Sequence, residues 1–138
     1  YAFSSENWRR SDEEIADLKG LMHYYLEREF KAIEREGVQL RLIGDPAAFG
    51  ADMAVKLRQA VERTRDNRRL SLVVALNYGS QAEIAAAARA LAEDAAAGKI
   101  DPATIDERSL GARLQTADLP PLDLLIRTSG EVRLSNFL

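Results

Sequence analysis

The chain has 138 residues, enough for one domain with a real core, and 46% of them are apolar against 30% charged. A net charge of −3 argues against a broad nucleic-acid-binding surface, and the lack of cysteine excludes a disulfide framework and thiolate metal sites, which suits a reducing compartment. No apolar run approaches the roughly 20 residues needed to span a bilayer, and no signal-peptide pattern is present. The first residues, Tyr1-Ala2-Phe3, and the last, Asn136-Phe137-Leu138, are apolar where termini are usually polar, so both ends are expected to be cut from a longer protein.

Tyr1 to Phe3 reads as the end of a buried strand, followed by a loop from Ser4 to Arg10. Ser11 and Glu14 form a capping box that opens a helix running to about Glu36. Ile15, Leu18, Leu21, Met22, Tyr25, Leu26, Phe30 and Ile33 fall on one face of it at helical spacing, and Gly37 stops it. Val38 to Ile43 alternates as a strand with one less buried face. A turn at Gly44-Asp45-Pro46 leads to a helix from about Ala51 to Asp66. Leu70 to Leu76 is nearly continuous in apolar residues, as a central parallel strand covered on both faces should be. An alanine-rich helix follows from about Gln81 to Ala97. Thr104 and Glu107 fit a second capping box for a short helix to about Leu114. Pro120-Pro121 then leads into a strand at Leu122 to Ile126. Strands alternating with helices imply βαβ units, hence an α/β fold: a single-layer, mostly parallel sheet with helices on both faces. No repeat or domain boundary interrupts residues 1–138, so a single domain is expected.

If the sheet is parallel, the strand ends at Phe3, Leu76 and Ile126 share one rim, where ligands of open α/β sheets sit. Arg127-Thr128-Ser129-Gly130-Glu131-Val132-Arg133-Leu134-Ser135-Asn136 brings two arginines, hydroxyls and a glycine turn there, a pattern suited to a phosphate or diphosphate. The plainer reading is a surface loop with solvated arginines. Ser4, Asn7, Trp8 and Arg10 form a second group that can meet an anion and an apolar ligand; its plainer reading has Trp8 tucked into the core. Glu131 can hold an arginine or help with a metal, or simply make a surface ion pair. His23, the one histidine, reads as a packing or surface residue. The stripe on the first helix is either plain core or the wall of an apolar channel.

Taken together these segments resemble the cis-prenyltransferase family, the bacterial undecaprenyl diphosphate synthases in particular. The matching motifs are Tyr1-Ala2-Phe3-Ser4-Ser5-Glu6-Asn7-Trp8, Arg41-Leu42-Ile43-Gly44-Asp45, Asn77-Tyr78-Gly79, and Asp123 to Glu131 with Arg133 to Phe137. They stand in family order and span the chain. The resemblance implies condensation of isopentenyl diphosphate units onto an allylic diphosphate such as farnesyl diphosphate. The product would be a long polyprenyl diphosphate of the undecaprenyl type, the lipid carrier of cell-wall synthesis. Mg²⁺ would assist departure of the diphosphate, since arginines and a metal stabilise the charge on the leaving group. By position, Arg127, Arg133, Leu134 and Ser135 match residues that bind isopentenyl diphosphate. Ser4, Ser5, Glu6, Trp8 and Arg10 match substrate-binding residues after the first motif. Asn7 matches the position given the proton-removal role. A neutral amide is a very weak base, so Asn7 is expected to orient substrate while a diphosphate oxygen or water takes the proton. Leu70 matches a large residue at the far end of the product tunnel, which the first helix would wall.

Two departures stand out. The family's usual Gly-Gly-Arg after Asn-Tyr is here Gly79-Ser80-Gln81, and Ser11 replaces a common proline. The family's N-terminal Asp-Gly-Asn-Gly-Arg-Trp segment and a C-terminal glutamate, its main metal ligands, have no counterpart in these residues, so the metal ligands are expected outside them and the 138 residues alone should be inactive. The resemblance further implies a homodimer in the cytoplasm with peripheral membrane contact, a product that partitions to the membrane, and no nucleic-acid partner. The competing expectation is a non-catalytic partner subunit on the same fold; a third is another α/β protein binding a different phosphorylated metabolite.

Overall fold

Three parallel strands, β1 (Phe3–Ser4), β2 (Val38–Gly44) and β3 (Leu70–Tyr78), form a sheet in the order β1-β3-β2. A computed structural model describes residues 1–128, 130 and 136, apart from the side chains of residues 26 and 27. The chain divides into two compact units, Tyr1–Tyr78 and Gly79–Leu138. The first contains the whole sheet.

In the first unit, helix α1 (Asp12–Arg35) begins as its capping box demands: Ser11 Oγ accepts the Glu14 N–H, and the Glu14 carboxylate accepts the Ser11 N–H, both at 3.3 Å. Helix α2 (Ala51–Thr64) connects β2 to β3. The core is one cluster, Phe3, Phe49, Met53, Leu57 and Leu76, flanked by Trp8, Leu18, Met22, Phe30, Leu42 and Val74. Leu42, Val74 and Leu76 lie on one face of the pleat, so α1 and α2 both pack on that face. Ile43 and Ala75, on the opposite face, are buried as well. Thr64, itself buried, donates to Ala60 O (2.8 Å) and accepts the Leu40 N–H (3.0 Å), joining the end of α2 to β2.

Two expectations change here. The apolar stripe of α1 does not face inward as one surface: Leu18, Met22 and Phe30 pack on the core, whereas Leu21 and Tyr25 are exposed. A stripe eight residues rich is wider than the strip that one contacting sheet can cover. Strand β3 is central, as expected, but only its carboxyl half is buried. Leu70 is 57% exposed and Leu72 37%, because the packed helices reach only from Val74 onward.

In the second unit, α3 (Ser80–Ala96) buries Glu83, Ala87 and Leu91, positions spaced four apart on one face. A 3-10 turn at Pro102–Thr104 precedes α4 (Glu107–Gly111). The expected cap pair Thr104 and Glu107 is replaced by Asp106 and Ser109: Asp106 Oδ1 accepts the Ser109 N–H and Ser109 Oγ accepts the Asp106 N–H, each at 2.8 Å. Pro102 starts its own turn, capped by Asp101, and that turn uses Thr104. The expected strand at Leu122 to Ile126 is absent. The segment is irregular, with Leu122 76% and Ile126 78% exposed. A strand needs a neighbour to complete its ladder, and no described strand pairs with this run. No described helix is long and apolar enough to cross a membrane.

Candidate functional site

Of the three strand ends expected to share a rim, Phe3 and Leu76 do: Phe3 lies beside Leu76 and Ser4 beside Tyr78, with Gly44, the end of β2, also beside Leu76. The third expected strand end, Ile126, is not a strand end and belongs to the second unit. Gly44 is what lets β2 leave the sheet there. Its φ is +92°, and a Cβ on it would stand 2.1 Å from the Leu76 carbonyl oxygen. That same oxygen accepts the Asp45 N–H at 3.0 Å.

The loop after β1 folds into a 3-10 turn, Ser5–Arg9, capped from within. Ser4 Oγ accepts the Glu6 N–H (3.2 Å), and Asn7 Oδ1 accepts the Ser4 N–H (2.8 Å). Because a backbone N–H can only donate, the atom facing it is the amide oxygen of Asn7. The Asn7 NH₂ is therefore the end of that side chain turned to other work, and it can donate to an anion. Trp8 Nε1 donates to Asn77 Oδ1 at 2.7 Å, pinning the turn to the end of β3. Asn77 holds φ +47°, a conformation that asparagine tolerates better than most residues.

The Trp8 ring is half-buried, 5.0 Å from Phe3 and 5.5 Å from Phe49 between centroids, with Lys19 Nζ 4.9 Å from its own centroid. The plainer reading of Trp8, tucked into the core, thus describes its ring. Ser5 is half-buried, while Glu6 and Arg10 are exposed. Arg10 stands 3.9 Å from Glu14 across two half-exposed side chains, a loose pair from which the guanidinium can swing to a diphosphate.

In the second unit Arg127 is exposed and Gly130 turns with φ +66°. Arg133, Leu134 and Ser135, with Ser129 and Glu131, lie outside the described residues. Asn136 is described, and it is bound to the start of α3. Ser80 Oγ donates to Asn136 Oδ1 (2.9 Å), the Gln81 N–H donates to the same oxygen (3.3 Å), and the Ser80 N–H donates to the Asn136 carbonyl (3.1 Å).

Three contributors escaped the reading of the sequence. Asn77 was one letter of a motif and proves to be the acceptor for Trp8. Asn136 caps a helix 56 residues earlier. Glu83, 5% exposed, accepts the Gln115 backbone N–H and so ties α3 to the turn ahead of Pro120-Pro121. An acid in the first turn of a helix reads as dipole compensation, and nothing local marks it as buried. Among the described residues no three Asp, Glu, His or Cys side chains converge on a metal position, so they do not by themselves fit Mg²⁺. A cleft of about 200 Å³ between α1 and α2, lined by Phe30, Lys31, Lys56 and Arg63 among others, lies toward the amino end of β2 rather than at the rim; Arg63 and Glu34 pair across it at 2.8 Å.

The Prenyltransf family model, that of the undecaprenyl diphosphate synthases, matches residues 1–138. Isoprenyl transferase 2 of Bradyrhizobium diazoefficiens is 52% identical over 138 residues, all of this chain and 55% of that protein. The farnesyl-diphosphate-specific ditrans,polycis-undecaprenyl-diphosphate synthase of Xanthomonas axonopodis pv. citri is 49% identical, with 54% of its length covered. Lavandulyl diphosphate synthase from Lavandula x intermedia, solved with dimethylallyl diphosphate, superposes with a TM-score of 0.91 at 31% identity, over 99% of this chain and 60% of that one. A probable undecaprenyl diphosphate synthase from Campylobacter jejuni superposes with a TM-score of 0.85 at 31% identity, over 99% and 62%. The chain spans about half the length of the curated relatives it matches.

Proposed function

Since the chain belongs to the undecaprenyl diphosphate synthase family, we propose that the protein it comes from is a cis-prenyltransferase that condenses isopentenyl diphosphate with farnesyl diphosphate. The observation that carries this reading is the turn Ser5–Arg9. It holds the family motif by its own capping hydrogen bonds at the carboxyl edge of a parallel sheet, where open α/β sheets take their ligands.

The chemistry asked of the site breaks an allylic C–O bond and one C–H bond and forms one C–C bond. The allylic C–O bond opens and diphosphate leaves with the electron pair. The isopentenyl double bond attacks the allylic carbon, and a proton then departs from the new chain. Asn7 donates its NH₂ to the substrate and orients it, since its oxygen is committed to the Ser4 N–H. The proton passes to a diphosphate oxygen or to water. Arg10 and Arg127 oppose the phosphate charge, Arg127 with Arg133, Leu134 and Ser135 on the isopentenyl side. Mg²⁺ dependence belongs to the proposal, as do a long polyprenyl product, a homodimer and peripheral membrane contact; the support for these is family membership alone.

The test uses the full-length protein with farnesyl diphosphate, labelled isopentenyl diphosphate and graded Mg²⁺, followed by sizing of the extracted product. Incorporation that grows with Mg²⁺ and yields chains of many units is expected. No incorporation by the full-length protein alone, but incorporation when a second chain is added, would move it to the partner-subunit role.

A further inference from the structure

Lys19 is a half-buried lysine on α1, and among the described residues it makes neither an ion pair nor a hydrogen bond. Its ammonium stands over the Trp8 ring, 4.9 Å from the centroid. The acids of the helix opening, Asp12, Glu13, Glu14 and Asp17, are exposed, and Glu14 pairs with Arg10. A cation taken partly out of water without a counter-anion is costly, and the face of an indole offsets that only in part. A phosphate oxygen offsets more, because a hydrogen bond between two charged groups is stronger than a contact with a ring. The indole itself is fixed. Its Nε1–H is committed to Asn77 at 2.7 Å, and its ring packs on Phe3 and Phe49. The lysine, on a flexible four-carbon stem, is the member of the pair that can move.

Trp8 lies in the turn Ser5–Arg9 at the carboxyl edge of the sheet. It follows Asn7, whose NH₂ can donate to an anion, and precedes Arg10, whose guanidinium is only loosely paired. We propose that Lys19 is a further substrate-binding residue: its ammonium leaves the Trp8 ring for an oxygen of a diphosphate held by Asn7 and Arg10. This rests on the prenyltransferase reading for the identity of the anion. Lys19 lies outside the Tyr1 to Trp8 motif, and only the packing of α1 beside the turn brings it there.

The experiment uses the full-length protein as Lys19→Met, which keeps an unbranched stem and removes the charge, and Lys19→Arg, which keeps the charge. Binding of inorganic diphosphate is measured by calorimetry without Mg²⁺, and KM for farnesyl and isopentenyl diphosphates is measured with it. Lys19→Met should weaken inorganic diphosphate about tenfold and raise KM for one of the two substrates by a similar factor. Lys19→Arg should stay within about threefold of the parent in both. The substrate whose KM rises is the one whose diphosphate lies at Asn7 and Arg10. A lysine that only covers the ring would lower the urea midpoint on substitution and leave every affinity unchanged, and that result overturns the proposal. So does an equal loss of affinity in Lys19→Met and Lys19→Arg, which marks shape rather than charge. Absence of turnover in the unsubstituted protein is a separate outcome that removes the prenyltransferase reading. Weaker inorganic diphosphate binding in Lys19→Met would then still establish the anion site, and unchanged binding would remove that as well.

Discussion

Asn7 has two ends with two tasks. Its oxygen holds the turn by accepting the Ser4 N–H, and its nitrogen is the end available to a ligand. Substitution can separate them. Asn7→Asp keeps the acceptor, so its urea midpoint should stay near that of the parent, while the lost donor and the added negative charge beside diphosphates should cut kcat/KM by tenfold or more in the full-length protein. Asn7→Ala loses both and should also cost about 1 kcal/mol of stability. Equal stability of the two variants would contradict the assignment of the oxygen to Ser4. Trp8→Phe keeps the ring packing on Phe3 and Phe49 but removes the donor to Asn77. It should cost about 1–2 kcal/mol in urea denaturation, the range for leaving a half-buried acceptor short of its partner. For Arg127, exposed at the head of the last loop, Arg127→Ala in the full-length protein should raise KM for isopentenyl diphosphate tenfold or more with little change in thermal stability, read by steady-state kinetics beside a melt.

Among the elements, β2 and β3 pair in unbroken register from Val38 beside Leu70 to Gly44 beside Leu76, and the last pair leaves no room for a side chain on Gly44. A methyl group there would collide with the Leu76 carbonyl and demand a left-handed backbone besides. Gly44→Ala should therefore destabilise the first unit by more than about 4 kcal/mol, a size that marks main-chain conflict rather than lost packing, and equilibrium unfolding would reveal it. In the second unit, Asp94 on α3 binds Lys99 and Arg113, and those two hydrogen bonds, Lys99 first, hold its carboxyl below the ordinary 3.8. A depressed carboxylate stabilises the fold above its unfolded value and loses that contribution as pH falls through the folded one. Asp94→Asn should thus lower the melting temperature at pH 7, and the difference should shrink as pH falls below 3.8 through the folded value. A constant difference across that range would count against the ion pairs.

At the scale of the molecule, the chain is two compact units whose site residues are divided: Ser4 to Arg10 in one, Arg127 and Asn136 in the other. Each unit prepares its own loop by different means. The first uses an aromatic cluster and a tryptophan hydrogen bond, and the second uses a helix end closed by a distant asparagine.

The sequence by itself determined the elements and the family. Periodicities of two and 3.6 mark β2, β3, α1, α2 and α3 within a few residues, and the Ser11 box opens α1 where it should, because these signals act between residues one to four apart. The motif order from Tyr1 to Asn136 identified the family. What lay beyond it were contacts between distant residues. Trp8 meets Asn77 across 69 positions, Ser80 meets Asn136 across 56, and Glu83 meets Gln115 across 32. Leu122 to Ile126 makes the same point in reverse: its apolar run promised a strand, but a strand is a relation to a neighbour, and only tertiary structure decides whether one stands beside it.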